Sequence, residues 1–449
     1  MGFDQSFGRR PSEGGGLSPK GITKYGIAKE IIKAGDFIEY HTNGIRKATR
    51  ERLIPTNIYS AFPSNQTSAR QSDCSVCYLG NNKYLGVYTT TFDTRAIVKQ
   101  FNDDGTVSSG AELILSGAAA MSNPVSCDRL GDDSALICTK GSGNFLRAMK
   151  VSVSGLTISQ TNNLANTNIS MAGGVLSIKL TNTTFLLCCE TDTNKNAYVI
   201  IDVNGAMSYG TALAGSETNQ NVRNCFLITP SQFMSALGTT TGFAYCFYTI
   251  SGNTIAFQAS GNQSCGWSAI YQYTQYIKLI QMTATSFVAF CIDGGGGSAN
   301  NRVCTKPFIV SGTSFTMGTG LNVDFLGGGL STGFLIDYMY PLGVKSSENS
   351  FSVFITGYYN LSSGQLSVFY YTTFKLDSNV VTIDSREKVE FQQLLNVLSS
   401  GFYPSVKIEN GNMYITYSGY MCFVEARKMI NGIAKTSALA GSTIKYVSL

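Results

Sequence analysis

Residues 181–189 read Thr181-Asn182-Thr183-Thr184-Phe185-Leu186-Leu187-Cys188-Cys189, a polar tip followed by an apolar run that a large ring opens. The run is too short for a helix and is bounded by turn-forming residues, which is the signature of a hairpin leading into a buried strand. Six other stretches follow the same plan. Three of the tips are Gly80-Asn81-Asn82-Lys83 before Tyr84, Gly131-Asp132-Asp133-Ser134 before Ala135, and Thr229-Pro230-Ser231-Gln232 before Phe233. The others are Thr283-Ala284-Thr285-Ser286 before Phe287, residues 346–350 before Phe351, and Glu409-Asn410-Gly411-Asn412 before Met413. Successive strand-opening residues lie 51, 50, 48, 54, 64 and 62 positions apart.

A period near fifty residues leaves room for about four short strands per unit and matches the blades of a β-propeller, with insertions in the last two complete units. An open stack of sheets would leave an uncovered face at each end, so the units should close, first to last. The last one, about Gly401–Val424, is short, and a strand near Ile58–Phe62 is expected to complete it as a clasp. The fold class expected is all-β, an about seven-bladed β-propeller plus a small β-domain formed by the N- and C-terminal segments. A β-solenoid or tandem sandwiches are the alternatives. Helical periodicity is scarce, and Phe391–Leu398 is the only stretch that reads as a helix.

A second repeat lies outside this period. Gly26-Ile27-Ala28-Lys29, Ala34-Gly35, Ile38 and Tyr40 recur as Gly432-Ile433-Ala434-Lys435, Ala440-Gly441, Ile444 and Tyr446, every position offset by 406. It reads as a duplicated strand–turn–strand unit with Ala-Gly at the turn. Some twenty residues cannot bury a core alone. The two copies are therefore expected to pair with each other or with neighbouring subunits. The expected organisation is a flexible arm at 1–20, a small anchoring domain from 21–55 with 430–449, and the propeller at 56–429. Ile27, Phe37, Ile38, Ile433 and Ile444 are the candidate anchoring residues.

Composition narrows the function. Only 14 % of the 449 residues are charged, against roughly 25 % in ordinary soluble proteins. Residues 1–55 hold ten Lys/Arg against six Asp/Glu, which leaves 23 against 22 in the rest. The body is neutral and lacks the basic stripe of a nucleic-acid binder. No window reaches the ~18 apolar residues of a membrane-spanning helix, and the first twenty residues lack the apolar core of a signal peptide. Synthesis in a cytoplasm, with exit by another route if at all, is the expectation. The twelve cysteines sit mostly in apolar strand-like runs, where buried thiols are expected rather than disulfides.

Candidate chemistry is sparse. His41 is the only histidine, which removes catalysis needing more than one imidazole. Cys74-x-x-Cys77 has no second pair to complete a zinc site, so no metal and no cofactor is expected. Cys188 and Cys189 are adjacent and should face opposite sides of a strand. Asp103-Asp104, Asp132-Asp133 and Glu190-x-Asp192 offer carboxylates for a glycosidase pair, which needs two carboxyls ~5–10 Å apart in a cleft, but they read as turn residues instead. Gly14–Gly16, Gly294–Gly297 and Gly327–Gly329 lack the context of a phosphate loop. Trp267, Tyr271 and Tyr273, with Tyr276 nearby, have the composition of a sugar-stacking platform and serve as the candidate ligand-binding residues, with inter-blade packing as the alternative.

Gly432-Ile433-Ala434-Lys435-Thr436-Ser437 to Ala440-Gly441-Ser442-Thr443-Ile444 resembles the endings of tail-fibre, neck or head-fibre proteins of tailed bacteriophages that infect Gram-positive bacteria. Ala34-Gly35-Asp36-Phe37-Ile38-Glu39-Tyr40 is similar to a stretch near their N-termini. The likeness covers roughly fifty residues, is architectural elsewhere, and departs from the family at Tyr446-Val447-Ser448-Leu449. It implies a virion structural protein assembled in the host cytoplasm, with tail, neck or capsid proteins as partners. A homo-oligomer and attachment to host-surface polysaccharide are expected, with neither nucleic acid nor membrane as partner. The alternatives are a decoration, collar or baseplate protein without a receptor, and a glycan depolymerase; an enzyme is not expected.

Overall fold

The computed structural model describes residues 23–27, 37–41, 44–47, 51–60, 72–81, 83–89, 93–101, 107–119, 125–192, 195–215, 225–239, 241–267, 277–294, 301–324, 334–336, 342–347, 349–361, 364–390, 405–409, 412–417, 420–428, 432–434 and 443–448. Every regular element among them is a β-strand. The expected arm at 1–20 and the expected helix at Phe391–Leu398 lie outside the described residues. The chain divides into two compact units, Pro55–Val424 and, from both ends together, Met1–Ile54 with Glu425–Leu449.

The larger unit repeats one antiparallel plan. Its first sheet runs Ser72–Gly80, Lys83–Thr89, Thr94–Phe101 and Val107–Ser109, with Leu113–Ile114 pairing beside the third strand. The fourth runs Cys225–Thr229, Gln232–Gly238, Gly242–Ser251 and Thr254–Ser264. The last consists of Ser405–Glu409, Asn412–Tyr417 and Tyr420–Lys428, and Glu51–Ser60 is its fourth strand. The clasp therefore begins earlier than the Ile58–Phe62 segment expected.

Each of the seven polar tips joins two consecutive antiparallel strands of its group, pairing Gly80 with Lys83, Gly131 with Ser134, Lys179 with Phe185, and Thr229 with Gln232. The other three pair Gln281 with Phe287, Ser347 with Ser350, and Glu409 with Asn412. Tyr84, Ala135, Phe185, Phe233, Phe287 and Phe351, at the start of the strands that follow the tips, are all buried. Asn81 takes φ 50°, the left-handed region that asparagine tolerates in such turns.

The second and third groups depart from the plan of separate four-stranded sheets. One strand, Thr157–Lys179, serves as the last of one group and the first of the next, giving a single eight-stranded sheet. It pairs with Phe145–Ser154 over its first part and with Thr184–Thr191 over its last, with register shifts between. Asn163 and Asn168 are exposed on it and Asn162 is partly so, while Asn166 is buried and its Oδ1 accepts from Asn168 N–H at 3.1 Å. At Gly173-Gly174 the strand comes so close to Glu190 that a Cβ on Gly173 would overlap its side chain, and the Gly174 N–H donates to Glu190 Oε2 at 2.8 Å.

Cores lie between successive groups. One cluster joins the first and second groups through Leu85, Val87, Val98, Ile137 and Met149. A second joins the second and third, and others join the third to the fourth, the fourth to the fifth and the fifth to the sixth. Alternation along a strand supplies both faces: Cys189 packs toward the second group and Cys188 toward the fourth. Ser405–Glu409 packs against both Leu342–Ser347 of the sixth group and Ser72–Gly80 of the first, so the last sheet meets the first. Hydrogen bonds repeat this step: Cys127 N–H donates to Ser75 Oγ at 3.1 Å and Ser177 N–H to Ser126 Oγ at 3.2 Å.

The smaller unit is a five-stranded sheet in the order Thr23–Ile27, Thr443–Ser448, Gly432–Ala434, Phe37–His41, Gly44–Lys47. The duplicated segments exchange partners in it. Gly26 pairs with Ile444 and Ile27 with Thr443; Gly432 pairs with Ile38 and Ile433 with Phe37. These two sets are equivalent under the 406-residue offset, so the sheet has a local two-fold relation between its copies. Both Ala-Gly turns lie outside the described residues.

Candidate binding face

In the first sheet, the strand ends opposite the polar tip carry a network of charged side chains. Thr94 begins the third strand of the first sheet, and the next residue, Arg95, meets two carboxylates. Its Nε and Nη2 donate to Asp93 Oδ1 and Oδ2 at 2.9 and 3.1 Å, and its Nη1 to Glu112 Oε2 at 2.9 Å. Tyr88 donates its hydroxyl to Glu112 Oε1. The hydrogen bonds to Asp93 and then Glu112 outweigh burial and raise the Arg95 pKa further above its ordinary value. Burial pulls Lys99 down, with partial compensation from Glu112. The side chains of Arg95, Asp93 and Glu112 keep 21 %, 18 % and 17 % exposure, so the network presents oriented donors and acceptors to solvent while being held from behind.

Arg147 stands early in the corresponding third strand of the second group, but its surroundings differ. Its Nη1 donates to Asn163 Oδ1 at 2.6 Å, and Asn163 Nδ2 donates to the Ser116 carbonyl at 2.7 Å. Gln160 grips the same residue, accepting from Ser116 N–H at 2.9 Å. Gly117 and Gly141 flank the guanidinium so closely that a Cβ on either would stand 2.7 Å from one of its nitrogens. No carboxylate pairs with Arg147 among the described residues, and its Nε is buried without a hydrogen-bond partner. In the third group, Asn196 is 3 % exposed and its Oδ1 is likewise buried without a partner.

Of the residues singled out from sequence, Trp267 is 8 % exposed and packs in the cluster that includes Phe243, Phe287 and Phe308. Packing is thus its role here, and its ring is not an open stacking surface; Tyr271, Tyr273 and Tyr276 lie outside the described residues. Ile27, Phe37, Ile38, Ile433 and Ile444 all fall on paired strands of the small sheet. His41 ends one of those strands, paired with Gly44. Asp132 and Asp133 sit in a tip and bind Arg129 and Lys83. Asp103 and Asp104 lie outside the described residues. Cys77 is fully buried, and Cys74 stands on the same strand, Ser72–Gly80. No group of three His, Cys, Asp or Glu able to hold a metal occurs among the described residues. The Arg95 network was not found from sequence because Asp93 and Glu112 come together only when the chain returns past the third strand.

No family model and no curated protein matches the chain. Solved structures do. The BP39L lectin of Burkholderia pseudomallei is 8 % identical, with 85 % of this chain and 99 % of that one covered at a TM-score of 0.45. The Nup133 β-propeller domain of Vanderwaltozyma polyspora is 11 % identical, with 92 % and 100 % covered at 0.42. The six-bladed β-propeller lectin of Aleuria aurantia is 8 % identical, with 71 % and 95 % covered at 0.35. Similarity this low transfers neither blade number nor ligand.

Proposed function

We propose that the chain is a virion appendage protein of a tailed phage, in which a seven-bladed β-propeller presents a glycan-binding face and the small terminal sheet anchors it to the particle. The observation that carries this reading is the division of labour in the chain. Successive antiparallel strand groups pack one upon the next, the last against the first, and strands from both ends of the chain form a sheet of their own. A closed body with its own core can be displayed, and a separate unit is free to dock. The phage assignment is supported by the resemblance of the two terminal segments. For the face, support comes from the Arg95 cluster: a guanidinium and two carboxylates, each about one-fifth exposed and held in fixed directions with the buried Tyr88 hydroxyl behind Glu112, suit the paired donors and acceptors of sugar hydroxyls.

Binding of the full chain to purified cell-wall polysaccharides, followed by calorimetry, tests the face. Arg95→Gln is expected to weaken binding at least tenfold without changing the thermal midpoint by more than a few degrees. Wild-type affinity in that variant would remove the face from consideration. Release of reducing ends would replace the binding reading with hydrolysis. Deleting residues 431–449 is expected to abolish incorporation into particles while sparing glycan binding, and incorporation at the full level would refute the anchor.

A further inference from the structure

Ten cysteines are buried thiols among the described residues, and four of them meet in pairs across the joints between strand groups. Cys77, on the first strand of the first sheet, has its Sγ 3.1 Å from Cys127 Sγ, on the first strand of the second group. Cys188, on the second strand of the third group, has its Sγ 3.0 Å from Cys225 Sγ, on the first strand of the fourth. Each pair lies inside the apolar cluster that joins its two groups. The partners are 50 and 37 residues apart in the chain.

We propose that Cys77 with Cys127, and Cys188 with Cys225, are disulfide-forming sites that staple neighbouring strand groups when the protein folds in the presence of a small-molecule disulfide. The geometry is nearly that of the product. A disulfide needs about 2.05 Å between sulfurs, so each would move by about 0.5 Å, and the strands carrying the first pair already pack together. In the folded protein these four side chains are no more than 6 % exposed, which places the exchange during folding or in transient opening. One protein thiolate attacks the oxidant disulfide and expels one small thiolate, leaving a mixed disulfide. The second protein thiolate attacks the protein sulfur of that intermediate and expels the other. Two protein thiols lose two electrons and two protons, and one small disulfide becomes two thiols.

Cys246 belongs to the same cluster as Cys188 and Cys225 and is their natural competitor. The test refolds the full chain with reduced and oxidised glutathione, alkylates it in denaturant with N-ethylmaleimide and maps peptides by mass spectrometry. The expected result is two cross-linked peptides, Cys77 to Cys127 and Cys188 to Cys225, in most molecules. Complete alkylation of all four cysteines, or links to Cys246 in place of these, would overturn the proposal. Cys77→Ser should remove only the first link and Cys188→Ser only the second; a link re-formed at full yield with another cysteine would overturn the assignment. The cross-linked chain should melt roughly 5 °C higher than the same sample treated with dithiothreitol. Equal midpoints would refute the stapling role.

Discussion

The joint between the first and second strand groups and the joint between the fourth and fifth are built on one register from different materials. The first holds Leu79, Leu85, Val87, Val98, Ile137, Met149 and the Cys77–Cys127 pair, with no buried ring in its cluster. The other holds Phe243, Phe247, Phe287, Phe308 and Trp267. Phe287 and Phe308 stack there with centroids 5.4 Å apart and planes 9° apart. Ala135 and Phe287 both open a second strand directly after a tip, yet they differ by an entire ring. What the groups share is the position of turns and strands; the volume at each position is settled jointly with the neighbour that faces it.

The largest effect that would sharpen this contrast comes from pH, because several thiols act together. Burial raises Cys138 well above the ordinary 9.0, raises Cys189 as well, and pushes Cys265, in the aromatic joint, up to about 12. The folded state then keeps protons that the unfolded chain gives up, so this stability is complete below pH 9 and is lost as pH climbs through the raised values. Urea midpoints should fall steadily from pH 9 to 11, and less steeply in Cys265→Ala. A flat profile would show that these thiols are not sealed from water.

Phe308→Ala removes a ring that stacks within the aromatic joint and should cost about 3–5 kcal/mol in denaturant unfolding. Leu85→Ala in the aliphatic joint should cost about 2–3 kcal/mol. If the leucine variant proved the worse of the two, the supposed difference in what the joints depend on would collapse. The smallest effect is expected at Ser75→Ala, which removes the hydroxyl accepting the Cys127 N–H and should cost about 1 kcal/mol. An unchanged midpoint there would mean that apolar packing alone holds the first joint.

The tips were legible because Gly, Asn, Asp, Ser and Thr signal a turn locally, and the apolar residue that follows repeats that signal at a regular period. The terminal repeat was legible because both copies kept the same spacing. The shared strand Thr157–Lys179 was not, since Asn162, Asn163 and Asn166 look like loop residues until their pairing with Phe145–Ser154 is known. Trp267 could be given two roles from sequence, because whether a ring packs or lies open depends on the neighbouring sheet. The pairing of Arg95 with Glu112, 17 residues on, depends on how the chain returns along its sheet, which no local pattern encodes.

The fourth strand of the last sheet, Glu51–Ser60, also has a consequence for synthesis. This segment leaves the ribosome long before Ser405–Glu409, Asn412–Tyr417 and Tyr420–Lys428 exist, so throughout elongation it is a strand without a sheet. Such a segment invites pairing with the same segment of other nascent chains. Its sequence guards against that: Glu51 and Arg52 bring charge to one end, and Pro55, which has no N–H to donate, interrupts any foreign ladder in mid-strand. A proline is tolerable in the finished sheet because the strand occupies an edge. The residue that protects the waiting chain is thus one that the final fold can accommodate.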